Sequence, residues 1–152
     1  MTLRRNFIFQ SPAFNTTEPK DYFINECCFG DDLARWFIER LKVRGIHTES
    51  EPGQEDFGWY MTFRVGETGY DLVIAYRPGD KGKLGDWMCT VERSAGLVGS
   101  LFGGRKRGIA PDALEPLHSV LSTASEISNL RWFTDEDYQR EENGQTTPTA
   151  GR

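Results

Sequence analysis

Two adjacent carboxylates, Glu55 and Asp56, stand directly before a run of residues that predicts a strand. Carboxylates at the entrance of a strand can transfer protons when burial shifts their pKa. They can also simply stabilise a turn, with Gly58 allowing a bend or bulge before the strand. Two interpretations stay open: an enzyme that uses Glu55 or Asp56 with a nearby histidine, and a structural turn. Asp71 and Asp86 also stand at predicted strand starts, where we interpret them as turn residues.

A glycine-rich segment, residues 94–108, carries a second candidate chemistry, the binding of an anion or a partner. Its glycine N–H groups can converge on an anion, its basic side chains add positive charge, and its apolar side chains can dock on a protein. The candidate binding residues are Leu101, Phe102, Gly103, Gly104, Arg105, Lys106 and Arg107. The segment lacks the Gly-Lys-Ser/Thr ending of a P-loop, so it does not indicate nucleotide binding. The alternative is a long connection with an apolar half in the core and a solvated basic half.

The spacing of the histidines does not predict a metal site. His47, Glu49 and Glu51 alternate in a predicted short strand, where they would form either a divalent-metal site or a solvated polar face. The other histidine, His118, is far away in the sequence, and no His-x-x-x-His or Cys-x-x-Cys spacing occurs. We favour the solvated face and predict neither a metal nor a cofactor.

The three cysteines indicate reduced thiols, because an odd number without framework spacing does not form a disulfide scaffold. Cys27 and Cys28 are adjacent, so a bond between them would close a strained ring, and Cys89 lies in a predicted strand. No Gly-x-Ser-x-Gly motif is present, and a cysteine–histidine pair would need a fold contact that the sequence does not reveal. A cytoplasmic location follows as the expectation.

Composition favours one folded domain. The chain has 152 residues, of which 38% are apolar and 12% aromatic, enough to bury a sizeable core. A net charge of −5 disfavours a nucleic-acid binder, and no apolar run has the length of a membrane span. We predict a single domain over residues 1–135 and a polar, mobile tail over residues 136–152.

Alternating hydrophobicity predicts the strands that position these residues. The run 59–65 and the run 70–76 alternate with a period of two across a short turn, which predicts a β-hairpin. Further strands are predicted near Asn6, over 87–93 and near Leu130. Consecutive strands joined by short turns, with two separated helices, predict an α+β two-layer domain. Its sheet is mainly antiparallel, with about five strands packed by the two helices.

Two stretches have helical spacing. One is predicted to begin at Asp31, where an aspartate complements the helix dipole, and to end before Gly45. The other is predicted over residues 115–127 after a separate turn at 111–114, because Pro116 suits the first position of a helix and not its interior.

The run Asp31-Asp32-Leu33-Ala34-Arg35-Trp36, followed by Glu55-Asp56-Phe57-Gly58-Trp59 and a hairpin, resembles a group of small uncharacterised bacterial proteins. This resemblance implies a bacterial single-domain protein without indicating an activity. The size, acidity and α+β order are also similar to those of bacterial immunity proteins and type III secretion chaperones, which is an analogy at the level of the fold.

These observations favour a cytoplasmic, non-enzymatic protein-binding domain of immunity-protein or chaperone type. The expected partner is another protein, with neither membrane nor nucleic acid involved, and an exposed hairpin edge leaves a homodimer open. The alternatives are a small-ligand or anion-binding domain that uses Arg105, Lys106 and Arg107, and an enzyme with an acid–base group at Glu55 or Asp56.

Overall fold

The computed structural model describes residues 3–94 and 108–149. Within them, seven strands form one antiparallel sheet and three helices pack around it. The strands are β1 Asn6–Gln10, β2 His47–Thr48, β3 Gly53–Glu55, β4 Gly58–Val65, β5 Thr68–Arg77, β6 Asp86–Arg93 and β7 Ser128–Phe133. The helices are α1 Asp31–Val43, α2 Pro111–Thr123 and α3 Asp135–Arg140. The α+β class is confirmed, with two more strands and one more helix than the sequence predicts.

The sheet places its strands in the order β2-β4-β5-β6-β1-β7, and β3 also pairs with β4. The first strand of the chain therefore lies between β6 and β7, with Phe7 opposite Cys89 on one side and Trp132 on the other. The predicted hairpin is confirmed as β4–β5, which is joined by the Gly66–Glu67 turn.

The main hydrophobic core lies between one face of the sheet and the helices α1 and α2. Trp59, Met61 and Phe63 alternate toward this core and are at most 4% exposed. The predicted helix at Asp31 is confirmed, and Gly45 has the left-handed φ of +80° that suits the residue after a helix end.

The second helix corrects a prediction. Helix α2 is continuous from Pro111, which occupies its first position, and Pro116 lies inside it. Pro116 was predicted to start a separate helix because a proline ring removes one backbone hydrogen bond from a helix interior. Burial of Leu117, Val120 and Leu121 against the core offsets that loss, since tertiary packing supplies most of the stability of a protein helix.

The other face of the sheet is covered at β1 and β7 by the C-terminal segment, residues 135–149. Helix α3 contacts both strands, and the Tyr138 ring lies 6.0 Å from the ring of Phe133. Gln145 exchanges backbone hydrogen bonds with Trp132, of 2.7 and 2.8 Å. Ile8 and Phe133 are at most 1% exposed although they lie outside the main core cluster. Contacts with the sheet therefore extend along a segment whose polar sequence predicts a mobile tail.

Arg77 joins this C-terminal segment to the sheet. Its guanidinium donates hydrogen bonds of 2.6 and 2.7 Å to the Glu141 carboxylate and one of 2.7 Å to Asp86. The hydrogen bond from Arg77 lowers the pKa of Glu141 below its usual value. The pKa of Glu141 is therefore lower in the folded state than in the unfolded state. The Arg77–Glu141 ion pair contributes its full stability above the unfolded-state pKa of about 4.3, and this stability is lost as the pH falls.

We expect acid to destabilise the wild-type protein more than a Glu141→Gln variant, which cannot lose that ion pair. Urea midpoints measured between pH 7 and pH 3 test this expectation. The urea midpoint of the wild type should fall by the larger share, whereas parallel pH profiles would show that the Arg77–Glu141 pair contributes nothing to stability.

None of the helices in the described part of the chain has the length and apolar character that a bilayer crossing requires.

Candidate functional site

The part of the second sheet face that lies over β3 to β6 forms a cleft of about 460 Å³. Strand alternation explains its position, because the residues between the core-facing positions of β4, β5 and β6 must point to this side. The cleft is lined by Glu55, Phe57, Tyr60, Thr62, Asp71, Val73, Glu92 and Ser94. We call this set of residues the acidic cleft.

Strand register aligns the polar side chains at the floor of the acidic cleft. Thr62 of β4 lies opposite Asp71 of β5, which lies opposite Glu92 of β6. The Thr62 hydroxyl donates a hydrogen bond of 2.7 Å to Oδ1 of Asp71, whose residue is only 8% exposed. The hydrogen bond and the burial together fix the direction of the Asp71 carboxylate. Tyr60 and Val73 form the adjacent cross-strand pair of the floor.

The described residues that line the cleft carry charge of one sign. Glu55 of β3 and Asp71 of β5 contribute carboxylates, whereas Glu92 of β6 already has an interaction partner. No lysine, arginine or histidine is among these described lining residues. Charges of one sign in a concave surface reinforce one another, because the protein walls limit screening by solvent. The acidic cleft therefore attracts cationic groups.

Phe57 adds an exposed apolar side chain to the β3 end of the cleft, since it lines the cleft and is 50% exposed. Tyr22 and Ile24 are also exposed, each at 56%, but they lie on the other face of β3. The Gln54 side chain, which binds the Tyr22 carbonyl and the Ile24 N–H, shares a face with its cross-strand partner Trp59, and Trp59 points into the core. Among these three apolar side chains, Phe57 is therefore the one that the cleft offers to a ligand.

The carboxylates identified from the sequence occupy different surroundings. Glu55 lies at the end of β3 and faces the cleft, whereas Asp56 lies in the exposed turn before β4. The backbone carbonyl of Asp56 accepts a hydrogen bond of 2.7 Å from the Asn25 side chain. Neither residue has a histidine beside it in the described lining of the cleft, so acid–base catalysis by such a pair gains no support here.

Neither His47 nor His118 lines the acidic cleft. His47 lies in the edge strand β2. The Glu51 carboxylate forms an ion pair of 2.8 Å with the Arg35 guanidinium, so it is paired with an arginine and not with His47. His118 accepts a hydrogen bond of 3.2 Å at Nδ1 from the indole of the fully buried Trp132. Residues 3–94 and 108–149 contain no cluster of three or more side chains suited to hold a metal ion.

The predicted anion or partner site falls on residues that the structure does not describe. Leu101, Phe102, Gly103, Gly104, Arg105, Lys106 and Arg107 all lie outside the described ranges. Anion binding there stays a prediction, which replacement of the three basic residues by alanine would test.

Sequence reasoning found Glu55 but missed the floor of the cleft. Asp71 was interpreted as a turn residue at a strand start, yet it is the fourth residue of β5. In the sequence, Tyr60, Thr62 and Asp71 alternate with core-facing residues, which indicates that they point to the second face of the sheet. Only the register between β4 and β5 shows that they belong to one site. No family model, no curated protein and no solved structure matches this chain, so the acidic cleft itself carries the functional argument.

Proposed function

We propose that this chain is a cytoplasmic, non-enzymatic protein-binding domain that receives a basic segment of its partner in the acidic cleft. The observation that carries the proposal is a cleft that combines the carboxylates Glu55 and Asp71 with the exposed aromatic side chain of Phe57. The cytoplasmic location is supported by the cysteines, since Cys27, Cys28 and Cys89 are all free thiols.

Charge complementarity decides the chemistry of the partner. Glu55 and Asp71 favour an arginine or lysine side chain, and an arginine guanidinium suits a carboxylate that is held in one direction as Asp71 is. The net charge of −5 supports the same choice, because it steers basic partners toward the surface and repels nucleic acids.

The aromatic lining favours a protein over a small cation. Half-exposed aromatic side chains such as Phe57 dominate the binding energy of protein interfaces when a partner covers them. Phe57 lies in the same cleft as Glu55 and Asp71, so one bound segment can contact all three with apolar and basic residues in succession. A free amine would pair with the carboxylates and leave Phe57 exposed.

Binding of a fluorescent hexa-arginine peptide tests the proposed charge preference. The wild-type protein should bind this peptide at low salt and release it as salt screens the exposed charges, and it should not bind hexaglutamate. The double variant Glu55→Gln/Asp71→Asn should lose about tenfold in affinity, which corresponds to about 1.4 kcal/mol. Fluorescence anisotropy measures both effects.

The double variant Glu18→Gln/Glu39→Gln provides the matched control. It removes the same charge from two exposed carboxylates that do not line the cleft. Its affinity should stay within about twofold of the wild type, because exposed charges outside the contact are screened. Equal losses in the two double variants would show that only the net charge matters and would reject the cleft as the binding site.

A further inference from the structure

Two adjacent thiols form a second cluster, separate from the floor of the acidic cleft. The Sγ atoms of Cys27 and Cys28 lie 3.4 Å apart, and Cys27 is exposed to solvent while Cys28 is partly exposed. In a segment without regular secondary structure, two neighbouring side chains can rotate apart unless hydrogen bonds or packing hold them. Here the surrounding hydrogen bonds hold the segment.

Three hydrogen bonds fix the backbone and thiol of Cys28, and a fourth holds the carbonyl that this thiol contacts. The Trp59 indole donates to the Cys28 carbonyl at 2.8 Å, and the Cys28 N–H donates to the Asn25 carbonyl at 3.0 Å. The Cys28 thiol donates to the Asp56 carbonyl at 3.4 Å, and the Asn25 side chain donates to the same carbonyl at 2.7 Å. Cys28 is therefore held in place with its sulfur 3.4 Å from that of Cys27, which lowers the entropy cost of binding a group to both sulfur atoms.

A direct disulfide does not suit this arrangement. The peptide bond between the two cysteines is trans, which separates their Cα atoms by about 3.8 Å. Disulfides usually need Cα atoms about 4.4–6.8 Å apart, so closing the bond here would strain the turn.

A metal ion that binds two thiolates in a line does not fit either. Such an ion needs sulfur atoms on opposite sides, separated by about twice a metal–sulfur bond of about 2.3 Å. The observed Sγ–Sγ separation of 3.4 Å is shorter than that. A tetrahedral ion would need further ligands, and no cluster of three suitable side chains occurs within residues 3–94 and 108–149.

We propose that Cys27 and Cys28 form a two-thiol site for trivalent arsenicals. Arsenic(III) is pyramidal, so it can bind two sulfur atoms that lie on the same side of it. Its third substituent is the organic group that the arsenical already carries, so two thiols are sufficient for the site. With an organoarsenic oxide, two As–S bonds form as the As=O bond breaks, and the two thiol protons leave with the oxygen as water. No electron is transferred, so arsenic stays trivalent and neither sulfur is oxidised.

Phenylarsine oxide is the probe that tests this site on the full-length protein. Native mass spectrometry should show one adduct whose added mass is that of the reagent less one water. An excess of a monothiol such as 2-mercaptoethanol should leave the adduct in place, whereas a dithiol such as 2,3-dimercaptopropanol should remove it. Cys27→Ser and Cys28→Ser should each abolish the monothiol-resistant adduct, and Cys89→Ser should retain it because Cys89 is fully buried.

The Trp59 indole provides a second readout that does not depend on a variant. Binding should shift its Nε1–H resonance, since that group donates to the Cys28 carbonyl, and should leave unchanged the resonance of Trp132, which donates to His118. The proposal is overturned if the wild type forms no adduct, if a monothiol removes it, or if Cys27→Ser keeps it. A mass loss of two hydrogens in air without arsenical uptake would likewise replace it with a disulfide.

Discussion

Replacing Gly58 with alanine should destabilise the fold by about 3 kcal/mol, the largest effect that we expect from a single added methyl group. A Cβ atom at this position would lie 2.3 Å from the backbone carbonyl oxygen of Ile74, and the residue has a φ of +157°. Since Ile74 belongs to the β4–β5 ladder through its pairing with Trp59, its carbonyl cannot move without disturbing that ladder. The substitution would also displace Phe57 and Glu55, which lead into the cleft.

Gly45→Ala is the matched control for Gly58→Ala. Gly45 has a φ of +80°, but nothing lies within 4 Å of the Cβ atom that alanine would add. Its expected cost of about 1 kcal/mol is therefore that of the left-handed backbone alone. Urea unfolding followed by circular dichroism compares the two. If both variants lost the same stability, the contact between Gly58 and the backbone of β5 would have no energetic importance.

Ending the chain after Thr134 should cost about 3–6 kcal/mol. The deletion removes α3 and the Gln145 pairing, which exposes Ile8 and Phe133, and burying each such side chain contributes about 1.5–3 kcal/mol. The truncated protein should unfold at a lower urea concentration and with a smaller dependence on urea, because its folded state buries less surface.

A chain that ends after Thr149 is the control for this truncation. It keeps α3, the Arg77–Glu141 pair and the bridge between Leu3 and Thr149, so its stability should equal that of the full-length protein. Equal stability of the chain that ends at Thr134 would mean that residues 135–149 behave as the mobile tail that their polarity predicts. The comparison therefore decides where the folded domain ends.

Local patterns were sufficient to predict much of the fold. The alternation of Trp59, Met61 and Phe63 identified β4 and its buried face, since a period of two leaves only the choice of which side is inside. The helix start at Asp31 and the glycine after its end are also local signals, because the capping of a helix involves only neighbouring residues.

Features that depend on distant contacts were not predictable in this way. Nothing near Phe7 indicates that β1 lies between β6 and β7, because that placement depends on packing against Trp132, far away in the sequence. Pro116 inside α2 has the same cause, since tertiary packing overrides the local preference, and the contact of Tyr138 with Phe133 likewise depends on the fold.

The same distinction between local and long-range signals applies to the residues of the candidate site. Glu55 was identified from its place before a strand, but Asp71 and Thr62 acquire their roles only through cross-strand register. A shift of one residue in the β4–β5 pairing would send Thr62 to the core face and dismantle the cleft, while leaving the sequence pattern of each strand unchanged.

The most direct test of the proposed function is a heteronuclear NMR titration of the ¹⁵N-labelled wild-type protein with the hexa-arginine peptide. Binding in the acidic cleft predicts that the amide resonances of Thr62, Asp71 and Val73 shift first at low salt and return toward their free positions as salt is added. The helix α1, on the opposite face of the sheet, should be unaffected. Shifts spread evenly over the exposed carboxylates, or centred on α1, would contradict the account.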